Sequence, residues 1–119
     1  RHHPLNAAKI NAAAQVLVGE HDFSAFQGAN KANVNPIKTI FAVNCVREAD
    51  FVIFEFYGSG FLYHMVRNLV GTLVEIDKKK PSPEEAAAEL EKILAGKDRQ
   101  AAGITAPAQG LYLVEVKYS

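Results

Sequence analysis

Arg67 is the side chain in this sequence that most needs explaining. It lies in the run Gly60 to Asn68, GFLYHMVRN, inside a segment where Leu62, Met65, Val66, Leu69, Val70, Leu73, Val74 and Ile76 recur at three- and four-residue steps. That spacing predicts a helix buried along one side, with Arg67 about 100° round from Val66 and near the edge of the apolar stripe. A guanidinium there either snorkels to solvent or meets a carboxylate. The second alternative needs a partner.

Other chemical signatures are sparse. His2, His3, His21 and His64 have no cysteine or carboxylate cluster at metal-ligand spacing, so no metal site is expected. Gly58-Ser59-Gly60 precedes a helix without completing a dinucleotide fingerprint, and no Gly-rich loop is followed by Lys-Ser or Lys-Thr. No nucleophile-elbow pattern surrounds Ser24, Ser59 or Cys45, which argues against a hydrolase. The run Lys78 to Lys80 is a solvated helix end or, as the minority alternative, a phosphate contact.

The elements that must position these residues follow from patterning. Pro4 to Val18 reads as a helix stopped by Gly19, and GEHDFSAFQGANKANVNP as a turn-rich loop. Ile37 to Arg47 and Phe51 to Tyr57, rich in β-branched and aromatic residues, read as a hairpin turning at Glu48 to Asp50. The Arg67 helix follows and closes at Lys78 to Lys80. A second helix opens with Ser82 as N-cap and Pro83 first, and ends near Gly96; Leu111 to Tyr118 alternates as a last strand. The expected fold is α+β, an antiparallel sheet packed by helices in the order helix, strand, strand, helix, helix, strand, as one domain over residues 1–119.

With 49% apolar residues but no run long enough to span a bilayer, the expectation is a soluble chain with no membrane partner. No charged-then-apolar leader opens it, and its one cysteine, Cys45, fits a reducing compartment, so a cytoplasmic location is expected. Thirteen basic residues balance thirteen acidic ones, so any nucleic-acid contact must come from a local patch.

Four blocks in order, GEHDFSAF at Gly19 to Phe26, GFLYHMVRN at Gly60 to Asn68, KDR at Lys97 to Arg99 and TAPAQGLYL at Thr105 to Leu113, closely resemble the C-terminal half of the tRNA pseudouridine synthase A family. The resemblance covers nearly the whole chain. It implies an isomerase that converts uridine to pseudouridine in the tRNA anticodon stem-loop. The C1′–N1 bond is cleaved, the base turns, and it rejoins through C5, with no metal or organic cofactor. It also implies a homodimer and a catalytic aspartate in an N-terminal half, within a GRTDAGV-like segment. Asp22, Asp50, Asp77 and Asp98 all stand in other contexts. The chain as given is therefore expected to be inactive without that half, and to expose a face that the half would cover.

By the resemblance Arg67 matches the arginine that ion-pairs with the catalytic aspartate. Leu111 matches the apolar residue lining the base pocket, its alternative being an ordinary strand core position. His21, Asp22, His64 and Lys38 are the candidate RNA contacts. For the HDF block the alternative is a capped turn in which Asp22 bonds nearby backbone amides and Phe23 fills the core. Phe61 and Tyr63 are expected to pack. Ser59, Tyr63 and Lys38 depart from the family's usual wording, and lysine cannot reproduce the bidentate arginine grip on phosphate. Two other functions remain alongside: a stand-alone RNA-binding or dimerisation module, and a small regulatory or assembly domain.

Overall fold

The computed structural model describes residues 5–28, 35–49, 51–62, 64–102 and 112–118, with the last segment described in its backbone pairing only. Among these residues the chain forms the helices α1 (Ala7–Ala14), α2 (Met65–Lys79) and α3 (Pro83–Gly96) and the strands β1 (Gly19–Asp22), β2 (Ile37–Glu48), β3 (Phe51–Gly58) and β4 (Tyr112–Tyr118). Single 3₁₀ turns lie at Gln15–Leu17, Ser24–Phe26 and Arg99–Ala101.

The four strands form one sheet in the order β1-β2-β3-β4. β1 with β2 and β2 with β3 are antiparallel, and β4 joins β3 in parallel, Tyr112 opposite Val52 and Tyr118 opposite Gly58. The α+β class and the hairpin are as expected. Two details differ from the sequence expectation. β4 is parallel to β3, a pairing that needs a long crossover rather than a tight turn, and the chain between the two strands, which carries α2 and α3, is long enough to make it. β1 falls within the stretch read as a loop. GEHD has no β-branched residue, and it is extended because it pairs with Ile37 to Ile40, a tertiary contact that overrides local propensity.

Helix boundaries follow from caps. The Asn6 side chain accepts from Lys9 N at 3.0 Å, so α1 starts later than the pattern indicated and tightens into the 3₁₀ turn before Val18. Gly19 then takes φ +112, a left-handed conformation that favours glycine. Ser82 Oγ accepts from Glu85 N at 3.1 Å, the N-cap of α3, and its hydroxyl donates to Glu85 Oε1 at 3.3 Å.

The core is a single apolar cluster between the helices and one sheet face. Val52, Phe54 and Phe56 point into it from β3, and Phe23 and Phe26 close it from the 3₁₀ turn. Gly58 is required by close approach, because a Cβ there would lie 2.9 Å from Phe61 Cζ and 3.0 Å from Thr39 O. α2 packs against α1, α3 and the 24–26 turn, and it is buried almost all round rather than along one stripe.

At the far end of α2, Lys9 Nζ lies 3.1 Å from Asp77 Oδ1 and donates to the carbonyls of Asp77 at 3.0 Å and Lys80 at 2.7 Å. Asp77 Oδ2 accepts from Asn6 N at 3.3 Å. One ammonium thus neutralises a buried carboxylate and caps the helix C-terminus. Cys45 lies in the same core, where burial first and the Asp77 charge second push its thiol up to about 12. Iodoacetamide is therefore expected to label Cys45 in denaturant and to leave the folded chain unlabelled, as read by intact mass.

Candidate functional site

Arg67 occupies the first turn of α2 and is half-buried, as expected for the edge of the apolar surface. That turn contains no acidic residue. The guanidinium thus has the same sign as the positive end of the helix dipole beside it. His64, just before the helix, is exposed and takes φ 58. Its side chain makes no capping bond to the helix, and the Met65 N–H is taken by Leu62 O at 3.0 Å.

Asn68, one residue beyond Arg67 on the same helix, is 0% exposed. Its Nδ2 donates to Phe26 O at 2.7 Å, and its Oδ1 accepts from Arg99 Nη2 at 3.1 Å. Its own carbonyl accepts from Thr72 Oγ1 at 2.8 Å. A second tie is the Lys97 Nζ to Asp22 Oδ2 contact at 3.9 Å. Asp98 Oδ1 accepts from Gln100 N at 3.0 Å and caps the turn that carries Arg99. The HDFSAF, HMVRN and KDR blocks, remote in sequence, therefore meet through side chains.

The candidate RNA residues of the first two strands form their own group. His21 and Lys38 are direct cross-strand partners on β1 and β2. The Lys38 side chain lies over Gly60, where a Cβ would come within 3.9 Å of its Nζ. His21 Nε2 donates to Val18 O at 3.1 Å, and its ring stands edge-on to Phe23 at 5.7 Å between centroids. Asp22 adopts the capped turn: its Oδ1 accepts from Ser24 N at 2.9 Å and from the Ser24 hydroxyl at 2.5 Å. Phe23 is fully buried. Val16, His21, Asp22, Leu94, Lys92 and Lys97 border an open groove of about 700 Å³ between β1 and α3; Arg67 does not line it. Leu111 and Tyr63 lie outside the described residues, as do His2, His3 and Asp50.

The Ser24 hydroxyl first, then its backbone N–H and the Lys97 charge, hold the Asp22 carboxyl below its ordinary 3.8 against the opposing effect of burial. A carboxylate favoured in the folded state contributes stability that is complete above the unfolded pKa and is lost as pH falls through the folded one. The stability difference between the native chain and Asp22→Asn should accordingly shrink as pH is lowered below 3.8, measured by urea unfolding at fixed pH.

Sequence inspection singled out Arg67 but gave Asn68 and Arg99 no role. The available signal was Asn68 itself, a polar residue among Met65, Val66, Leu69 and Val70 on a buried helix. Among the described residues no three His, Cys, Asp or Glu side chains are grouped so as to hold a metal. No helix among them is long and apolar enough to cross a membrane.

Comparison with known proteins agrees with these blocks. The chain is 43% identical over 115 residues to the tRNA pseudouridine synthase A of Coxiella burnetii (strain Dugway 5J108-111), covering 97% of this chain and 42% of that protein. It is 44% identical over 118 residues to the protein of the same name from Aromatoleum aromaticum, covering 99% and 43%. With that of Thermoanaerobacter sp. (strain X514) the identity is 41% over 116 residues, covering 98% and 46%. The chain thus spans less than half the length of each of these relatives. The sequence model described as tRNA pseudouridine synthase matches residues 13–119, and the chain belongs to that family.

Proposed function

We propose that this chain is one domain, the C-terminal part, of a tRNA pseudouridine synthase that isomerises uridine to pseudouridine in the tRNA anticodon stem-loop. The observation that carries this is Arg67, half-buried on the first turn of α2, where the folded blocks of the family motif converge. Arg67 pairs with a catalytic aspartate carried by the rest of the enzyme. A cation within about 4–6 Å lowers a carboxylate pKa by about 1–3 units, which keeps the acid ionised and aimed at the nucleotide. Bond cleavage at C1′–N1, rotation of the base and rejoining through C5 are the work of that acid, with no metal or organic cofactor. Leu111 lines the base pocket.

His21, Lys38 and His64 contact RNA, and Asp22 contributes by closing the turn that presents His21. Lys38 grips phosphate as a point charge. Alone, the chain is inactive; in the cell it works in the cytoplasm within a homodimer that grips tRNA. The exposed apolar side chains along the sheet, Phe41 and Val46 at 49% with Ile37 and Phe51, support a partner for this domain. The test is to incubate the whole protein with tRNA and with an isolated anticodon stem-loop and to map pseudouridine by position. Modification confined to the stem-loop is expected; modification only elsewhere in tRNA would refute the assignment of site.

A further inference from the structure

We propose that Asn68 is the positioning residue for Arg67: its buried amide, held between the Phe26 carbonyl and the Arg99 guanidinium, fixes the first turn of α2 and so the direction in which Arg67 projects. This rests on the role given to Arg67 above.

Helix first turns fray unless their free ends are tied down. Here the preceding residue, His64, provides no side-chain cap and turns left-handed, so that besides one backbone bond from Met65 N to Leu62 O at 3.0 Å the turn relies on its own buried side chains. Every polar group of Asn68 is engaged: its N–H donates to His64 O at 2.9 Å, its carbonyl accepts from Thr72, and both ends of its amide are bonded. The Phe26 carbonyl can only accept and the guanidinium can only donate, so a single orientation of the amide satisfies both. Asn68 is joined to Arg67 by one peptide bond and stands about 100° round the helix. Rotating the turn to release the amide would therefore swing Arg67 with it. The same amide gives the Phe26 and Arg99 blocks a shared purpose, since each supplies one jaw of the clamp.

The test is a double-mutant cycle in the whole protein, read as the single-turnover rate of pseudouridine formation with tRNA affinity measured in parallel. Asn68→Ala should lower the rate by up to about 100-fold when Arg67 is present, as misplacement of a catalytic group does, with tRNA affinity unchanged. In the Arg67→Ala background the same substitution should change the rate by less than about 2-fold. Equal losses in both backgrounds, or no loss beside Arg67, would overturn the proposal. Arg67→Ala retaining the full rate would overturn the role of Arg67 itself, a result that does not depend on any Asn68 variant. Arg99→Gln, at a half-buried position, removes the other jaw and should show the same dependence on background if Asn68→Ala does not fold.

Discussion

Arg67→Ala in the whole protein is expected to lower kcat for pseudouridine formation by about 10²- to 10³-fold, the range seen when one preorganised charge-stabilising group is removed from an active site. Arg67 is half-buried, and an unchanged far-ultraviolet circular-dichroism spectrum of the variant is expected to accompany the loss of rate. The pH profile separates the proposed ion pair from a simple RNA contact. Without the guanidinium the partner carboxylate loses a depression of about 1–3 units, and the acid limb of the rate profile moves to higher pH. Arg67→Lys should fall between the two, keeping the charge and losing the planar fork. A loss confined to tRNA affinity, with kcat and its acid limb unchanged, would place Arg67 on the RNA backbone instead.

Lys9→Ala should have the largest effect on stability, about 3–5 kcal/mol, because it strands a buried carboxylate. Asp77 is 1% exposed and Lys9 11%, so water cannot replace the lost partner. Two carbonyls at the end of α2 lose a donor as well. Small domains are stable by about 5–15 kcal/mol in total, so this substitution brings the chain close to unfolding. Urea denaturation of the two proteins measures it. A loss below about 1 kcal/mol would mean that the pair is solvated in solution and that α1 is held by apolar packing alone.

These two substitutions act at opposite ends of α2, and the sequence revealed the ends unequally. The Arg67 end carries its signal in local pattern, an arginine at the edge of an apolar stripe, which periodicity detects. The Lys9–Asp77 pair spans 68 residues and has no local signature; only the packing of α1 along α2 brings it together. The hairpin and α3 were legible because Ser82, Pro83 and the aromatic run Phe51 to Tyr57 determine their own conformations. β1 was not, because its extension is imposed by β2. Nor was the parallel direction of β4, which depends on where two intervening helices deliver the chain. In the candidate site, the half-buried place of Arg67 on α2 and the capped turn at Asp22 followed from residue type and spacing. Asn68 and Arg99 needed three dimensions, because their partners lie 42 and 31 residues away from Asn68 in Phe26 and Arg99.

The most direct measurement mixes this chain with a separately produced N-terminal part of the same parent protein and assays pseudouridine formation on a tRNA anticodon stem-loop. Activity that requires both pieces, and that disappears when this chain carries Arg67→Ala, is the predicted result. Pseudouridine formed by either piece alone, or undiminished formation with Arg67→Ala, would contradict the account.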